Sequence, residues 1–346
     1  MKPVRFGVIG TARIALEKVI PAMQKSANCR IAAIASRDLA RAEAAAKAHG
    51  IPRAHGSYEA LLQDPEIEAV YNPLPNHLHV PLSIAAAEAG KHVLCEKPIA
   101  LSAEEAMLLL QARDRTGKLI QEAFMVRCHP QWLRARELVR SGAIGTLRVV
   151  QGSFSYMNRD PANVRNQADI GGGGVYDIGC YPIVGSRFLF EAEPLRVASQ
   201  IEHDPHFATD RLTSAVLQFP TGQALFFCST QLVPYQRMQI LGTEGRIEIE
   251  IPFNAPPDRP CRIFVDDGSA LGDLSARVET FDVVDQYTLQ GDLFADAVRN
   301  GRTLPFPLED SVRNMRVLDA VFRAGKSGRF EEVQDLVTLV GPVAGQ

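Results

Sequence analysis

The apolar positions of this chain keep two different rhythms, one before about residue 145 and another after it. In the first region, short and nearly continuous apolar runs at 4–10, 30–35, 67–71, 93–95 and 119–124 read as strands. Between them, segments 11–24, 39–49, 57–63, 80–89 and 102–116 carry helical spacing, and a further helix is expected from His129 to about Arg140. Strands without polar alternation suit a parallel sheet covered on both faces by helices. Ser102-Ala103-Glu104-Glu105 is a capping sequence that starts one such helix, and Gly117 stops it.

After Ser141-Gly142-Ala143-Ile144-Gly145 the pattern alternates instead, at 147–155, 213–219, 224–229, 237–241, 246–251, 262–265 and 279–284. Gly222, Gly242 and Gly245 stand between some of these runs as turn signals. Strands that follow one another without helices pair antiparallel. The glycine run Gly171–Gly174 opens a helix to Phe190, with Pro182 placed to kink it. Segments 287–300 and 308–325 read as closing helices.

Length and composition narrow the class. A chain of 346 residues exceeds one typical core and suggests two domains. A net charge of −3 leaves no basic excess for nucleic acid. Six scattered cysteines without a C-x-x-C pair read as reduced thiols of a cytoplasmic protein. Met1-Lys2-Pro3 passes straight into a strand, so no leader is expected, and no apolar run is long enough to span a bilayer.

Three features carry candidate chemistry in the first region. Gly10-x-Ala12-x-x-Ala15 is an imperfect dinucleotide fingerprint, with Ala12 where a glycine would let backbone approach a pyrophosphate. A generic strand–helix turn fits it equally well. The second strand ends in Ser36-Arg37, with Arg41 one turn on, and a hydroxyl plus arginines at that tip favours NADP over NAD. Asp38 opposes this unless it serves as a helix N-cap. His77 and His79 lack an acid or cysteine at ligand spacing, so no metal is expected, and loop histidines near a cofactor fit better. The third feature is Glu96-Lys97-Pro98, which ends a buried strand where ligands bind in open α/β sheets.

Gly7–Gly10, Ser36-Arg37, Pro75–His79, Glu96-Lys97-Pro98, Glu122–Met125 and Gly142–Gly145 together resemble the Gfo/Idh/MocA oxidoreductases. Within that family the chain is most similar to the NADP-linked aldose dehydrogenase, glucose-fructose oxidoreductase and 1,5-anhydrofructose reductase branch. The resemblance implies an α/β Rossmann domain over 1–123. An α+β domain over 124–330 with a large, mostly antiparallel open sheet follows, and the tail 331–346 has no place in either. It implies cofactor contacts from Gly10, Thr11, Ala12, Arg13, Ile14, Ser36, Arg37 and Arg41. Leu74, Asn76, His79, Glu96, Lys97, Glu122, Arg165 and Tyr287 would complete that set. Tyr287 reads equally well as a core tyrosine at a helix start.

Asp177 and Tyr181 stand four apart and share one helix face. Such a pair is by default structural, but in the family the helix presents an Asp and a Tyr or His to substrate. Lys97, Asp177 and Tyr181 are therefore the expected catalytic residues, and Lys97, Arg165, Asp177 and Tyr181 the substrate contacts. A lysine can take the hydroxyl proton as hydride leaves if burial and nearby positive charge lower its pKa. The residues alone do not decide whether Lys97 or Tyr181 moves the proton, nor whether Glu96 orients Lys97 or contacts the ribose.

The expected reaction is hydride transfer between an aldose such as xylose or glucose and NADP. The alternatives are sugar–sugar exchange on tightly held NADP, reduction of a keto-sugar, oxidation of a trans-dihydrodiol, or an NADP sensor without turnover. An open apolar sheet face needs cover, so a homodimer or homotetramer is expected through it.

Overall fold

The apolar runs of the first region form one six-stranded parallel sheet in the computed structural model, which describes residues 2–334. Its strands are β1 Val4–Ile9, β2 Cys29–Ala35, β3 Arg53–His55, β4 Ala69–Asn72, β5 His92–Cys95 and β6 Ile120–Glu122. Their order is β3-β2-β1-β4-β5-β6. That order reverses direction between β1 and β4, which opens a crevice beyond the carboxyl ends of those two strands. β4 is buried at every position, as a strand covered on both faces must be. β3 escapes the sequence pattern because it is a half-buried, three-residue edge.

By contacts the chain divides into two units. The first comprises Met1–Leu133, Asn254–Cys261 and Thr280–Ser311. Its core gathers Phe6, Val8, Val19, Ile20, Met23, Ile34 and Leu94. Helix Gln286–Asn300, late in the chain, belongs to this core, and its Phe294 ring lies 6.0 Å from that of Phe6.

The second unit is built on a nine-stranded sheet. Its strands are β7 Leu147–Met157, β8 Arg196–His203, β9 Asp210–Gln218, β10 Gln223–Ser229 and β11 Gln231–Gly242. β12 Arg246–Ile249, β13 Cys261–Asp266, β14 Arg277–Phe281 and β15 Glu331–Glu332 complete it. The order is β14-β13-β12-β11-β7-β10-β9-β8-β15. Most neighbours are antiparallel, but β7 and β10 run parallel. A parallel pair needs a crossover connection, and the helical segment ending at Phe190 lies in it. β8 lacks a clear apolar rhythm and is read only from the fold. In the tail, Glu331–Glu332 pairs with β8, while 335–346 lie outside the described residues.

Two helices that start near candidate site residues share a local device. Each contains a π-helical turn, Ala15–Val19 in one and Val175–Gly179 in the other. Each turn is followed by a proline, Pro21 or Pro182, at the second or third residue of the succeeding α-helix. Proline has no N–H for the α-helical ladder, so the bonding pattern is interrupted one turn earlier. The helix carrying Asp177 and Tyr181 therefore changes from π to α between them.

Candidate active site

In the first unit, β1 is followed directly by Gly10, whose φ of +96° only glycine adopts readily. A Cβ there would fall 2.8 Å from Leu74 Cδ2, so the turn after β1 and the loop after β4 touch at the switch point. Thr11, Ala12 and Ile14 are half-buried behind it, whereas Arg13 is exposed and pairs with Glu17. The smallness of this turn fits a group that must approach backbone closely.

At the tip of β2, Ser36 is buried and its Oγ accepts from the Asp38 amide at 3.2 Å. Asp38 is the N-cap of the next helix and accepts from Ala40 N at 2.9 Å, which turns its carboxylate to that helix. Arg37 and Arg41 are exposed.

Glu96 and Lys97 follow β5 and are half-buried. Tyr71, on neighbouring β4, donates to Glu96 Oε1 at 2.7 Å. Burial pushes the Tyr71 phenol well up, and the Glu96 charge adds to that. Tyr287 lies in the same field: burial raises its pKa, with Glu96 contributing. Tyr71 was not legible as a site residue, since it reads as one more apolar position of a buried strand.

Two expected cofactor contacts are buried and bond to backbone. His79 is buried, and its ring nitrogens lie 2.7 Å from the Pro98 and Leu74 carbonyl oxygens. Burial lowers its pKa to about 4, with the Lys97 charge contributing. Both ring nitrogens face backbone carbonyls, and the single N–H of the neutral ring donates to one of them, which ties the loops that bear Leu74 and Lys97. Glu122 is likewise buried, and its Oε1 accepts from Ile99 N at 2.8 Å. Burial raises this carboxyl to about 7, against the pull of Arg127. It too holds the turn beyond Lys97. Asn76 sits in the short 3-10 turn Asn76–Leu78, half-buried, and the neighbouring His77 is exposed.

In the second unit the expected residues converge. Arg165 Nε lies 2.8 Å from Asp177 Oδ2, and Tyr156 donates to the same oxygen at 2.5 Å. Asp177 is the main cause of the raised Arg165 pKa, and Tyr181 contributes to it, so all four groups share one field. The Tyr181 ring is buried against Phe154, with centroids 5.7 Å apart, and against Phe253 at 5.4 Å. Such packing holds a phenol in one orientation while its hydroxyl end stays polar. Tyr156 was missed because it follows the last residue of the alternating run that marked β7. Its only signal is the aromatic two places before Asn158.

Comparison with known proteins agrees with this anatomy. Residues 4–124 match the family described as oxidoreductase family, NAD-binding Rossmann fold. Residues 132–248 match the GFO/IDH/MocA C-terminal domain. An uncharacterized oxidoreductase, ORF334, of Rhizobium meliloti is 53% identical, over 96% of this chain and all of that protein. D-xylose 1-dehydrogenase (NADP(+)) 2 of Haloferax volcanii is 40% identical, over 95% of this chain and 99% of its own length. The crystal structure of KijD10, a 3-ketoreductase from Actinomadura kijaniata in complex with NADP and TDP-benzene, superposes with a TM-score of 0.87 at 30% identity. That match covers 93% of this chain and 98% of the other. With both halves matched in order and the strand order of a dinucleotide fold in the first, the chain belongs to the Gfo/Idh/MocA family of NAD(P)-dependent oxidoreductases.

Proposed function

We propose that the chain moves hydride between the carbon of an aldose, such as xylose or glucose, and NADP. The observation that carries this reading is the pairing of Arg165 and Tyr156 with Asp177, with Tyr181 in the field of Arg165. A carboxylate held between a guanidinium and a phenol is suited to gripping and polarising adjacent hydroxyls. The D-xylose dehydrogenase relative, at 40% identity, supports the substrate class.

Gly10, Thr11, Ala12, Arg13 and Ile14 would hold the cofactor pyrophosphate, with Gly10 making the tight turn and the Ala12 methyl accommodated beside it. Ser36, Arg37 and Arg41 would hold a ribose 2′-phosphate, and Asp38 does not oppose this once its carboxylate caps the helix. Leu74, Asn76, Glu96 and Tyr287 would line the remainder. A nicotinamide bound there would supply the hydride acceptor, and Lys97 or Tyr181 would take the hydroxyl proton. Asp177 and Arg165 hold the neighbouring hydroxyl and keep the Tyr181 phenol in their field, while Glu96 orients Lys97.

An initial-rate screen of common aldoses with NADP and with NAD, run with and without added cofactor, tests the proposal. Turnover of at least one aldose with NADP, at higher kcat/KM than with NAD, is the expected result. No aldose turnover, alongside reduction of a keto-sugar by NADPH, would replace the substrate class while leaving the proton-transfer groups in place.

A further inference from the structure

In the second unit, the glycine run that opens the Asp177–Tyr181 segment is where the Arg165 loop, that segment and β9 meet. Gly173 has φ +115°, and its N–H donates to the Arg165 carbonyl at 2.9 Å. The Gly173 carbonyl accepts the Asp177 amide at 3.1 Å. Against the same residues lies Asp210, buried at the first residue of β9. Its Oδ2 accepts from Val175 N at 2.6 Å, with Thr213 Oγ1 at 3.5 Å. A Cβ on Gly173 would fall 1.9 Å from Asp210 Oδ1, and one on Gly174 would fall 3.2 Å from Oδ2. Glycine is therefore required here to admit a carboxylate.

We propose that Asp210 is a positioning residue: its carboxylate fixes the Gly173–Val175 backbone, and through it the placement of Arg165 and Asp177 ahead of Tyr181. The chain of contacts is short. The backbone that Asp210 holds bonds directly to the Arg165 carbonyl on one side and to the Asp177 amide on the other. Loss of the carboxylate leaves a buried Val175 N–H without its partner and frees the run to shift, which a charged acceptor prevents more strongly than a neutral one. Asp210 touches neither reacting group; it acts through the turn. The groups facing it are the Gly174 and Val175 amides, the Thr213 hydroxyl and the Cys228 thiol, which burial keeps neutral. Burial raises the Asp210 carboxyl to about 7. Its charge, and with it the grip on the turn, therefore weakens as pH falls through neutrality.

This inference rests on Asp177 and Tyr181 meeting substrate, so the test has one readout that needs no substrate. Asp210→Asn, Asp210→Ala and Gly173→Ala are made in the full chain and checked for folding by circular dichroism. Hydrogen exchange of peptides spanning 171–181 is measured by mass spectrometry, NADP affinity by fluorescence, and kcat and KM with the aldose found by the screen. In D210A and G173A, exchange across 171–181 should rise at least tenfold and kcat should fall about tenfold to a hundredfold, with NADP affinity within twofold. D210N, which keeps an acceptor oxygen, should recover part of both losses. It should also lack the fall in kcat expected of the unaltered protein as pH drops through about 7. Unchanged exchange in folded D210A, or kcat/KM within threefold of the unaltered protein, overturns the proposal. If Tyr181→Phe and Asp177→Asn keep full turnover, the catalytic reading fails instead, and the exchange result still decides whether Asp210 fixes the turn.

Discussion

The Tyr71 phenol and the Glu96 carboxylate are joined by a 2.7 Å hydrogen bond across neighbouring parallel strands. Tyr71 stands near the end of β4 and Glu96 just past the end of β5, one residue before Lys97. The bond thus ties a rigid core side chain to the turn that presents the lysine. Tyr71→Phe removes a donor to a charged acceptor and should cost about 1.5–3 kcal/mol of stability. Urea unfolding followed by fluorescence measures this. A loss below about 0.5 kcal/mol would mean that Glu96 finds equal compensation elsewhere.

Lys97→Met keeps the length of the side chain but has no proton to exchange. Turnover should fall by about 10²–10⁴-fold, the usual worth of a general acid or base, with NADP affinity little changed. Tyr181→Phe should behave alike, and the pH–rate profiles of the two variants identify which group carries the proton. A Lys97→Met protein at full turnover would remove the lysine from the chemistry.

Arg37→Ala and Arg41→Ala should each raise KM for NADP about tenfold, as expected for a lost charge-assisted contact to phosphate, and leave KM for NAD within twofold. Equal effects on both cofactors would place the arginines away from the 2′-phosphate. Steady-state kinetics with each cofactor decide this.

Glu122 makes a pH prediction with a definite sign. Its carboxyl, ordinarily near 4.5, is raised by burial to about 7 in the folded protein. Between those values the folded chain keeps a proton that the unfolded chain releases, so this group makes stability fall as pH rises through the window and level off above it. Glu122→Gln should remove up to about 1.4 kcal/mol per pH unit of that slope. Chemical denaturation from pH 5 to 8 measures the difference. His79 titrates in the opposite sense: lowered to about 4, it favours folding fully above about 6.5 and loses that contribution as pH falls. Its substitution would therefore steepen, not flatten, the downward trend.

Much of the fold follows from local pattern alone. Apolar runs such as Val4–Ile9 and His92–Cys95 read as strands covered on both faces, and the helical spacing between them suits a parallel sheet. Gly10, Ser36 and Glu96-Lys97 announce themselves because each sits where such a strand stops, and strand ends in this architecture are where ligands bind. Asp38 could be assigned to a cap because the capping bond lies within its own turn.

Tertiary structure decided whatever depends on partners far away in the chain. The resemblance implies His79 and Glu122 as cofactor contacts, and only the fold shows that the same side chains also face the carbonyls of Leu74 and Pro98, or accept from the amide of Ile99. Tyr71, Tyr156 and Asp210 carry no local mark, since a tyrosine or aspartate at a strand end gains its role only when another element supplies Glu96, Asp177 or the Gly173–Val175 backbone. Periodicity encodes which face of an element is buried. It does not encode which polar group meets which across a sheet, because that pairing is fixed by packing between segments that the chain leaves far apart.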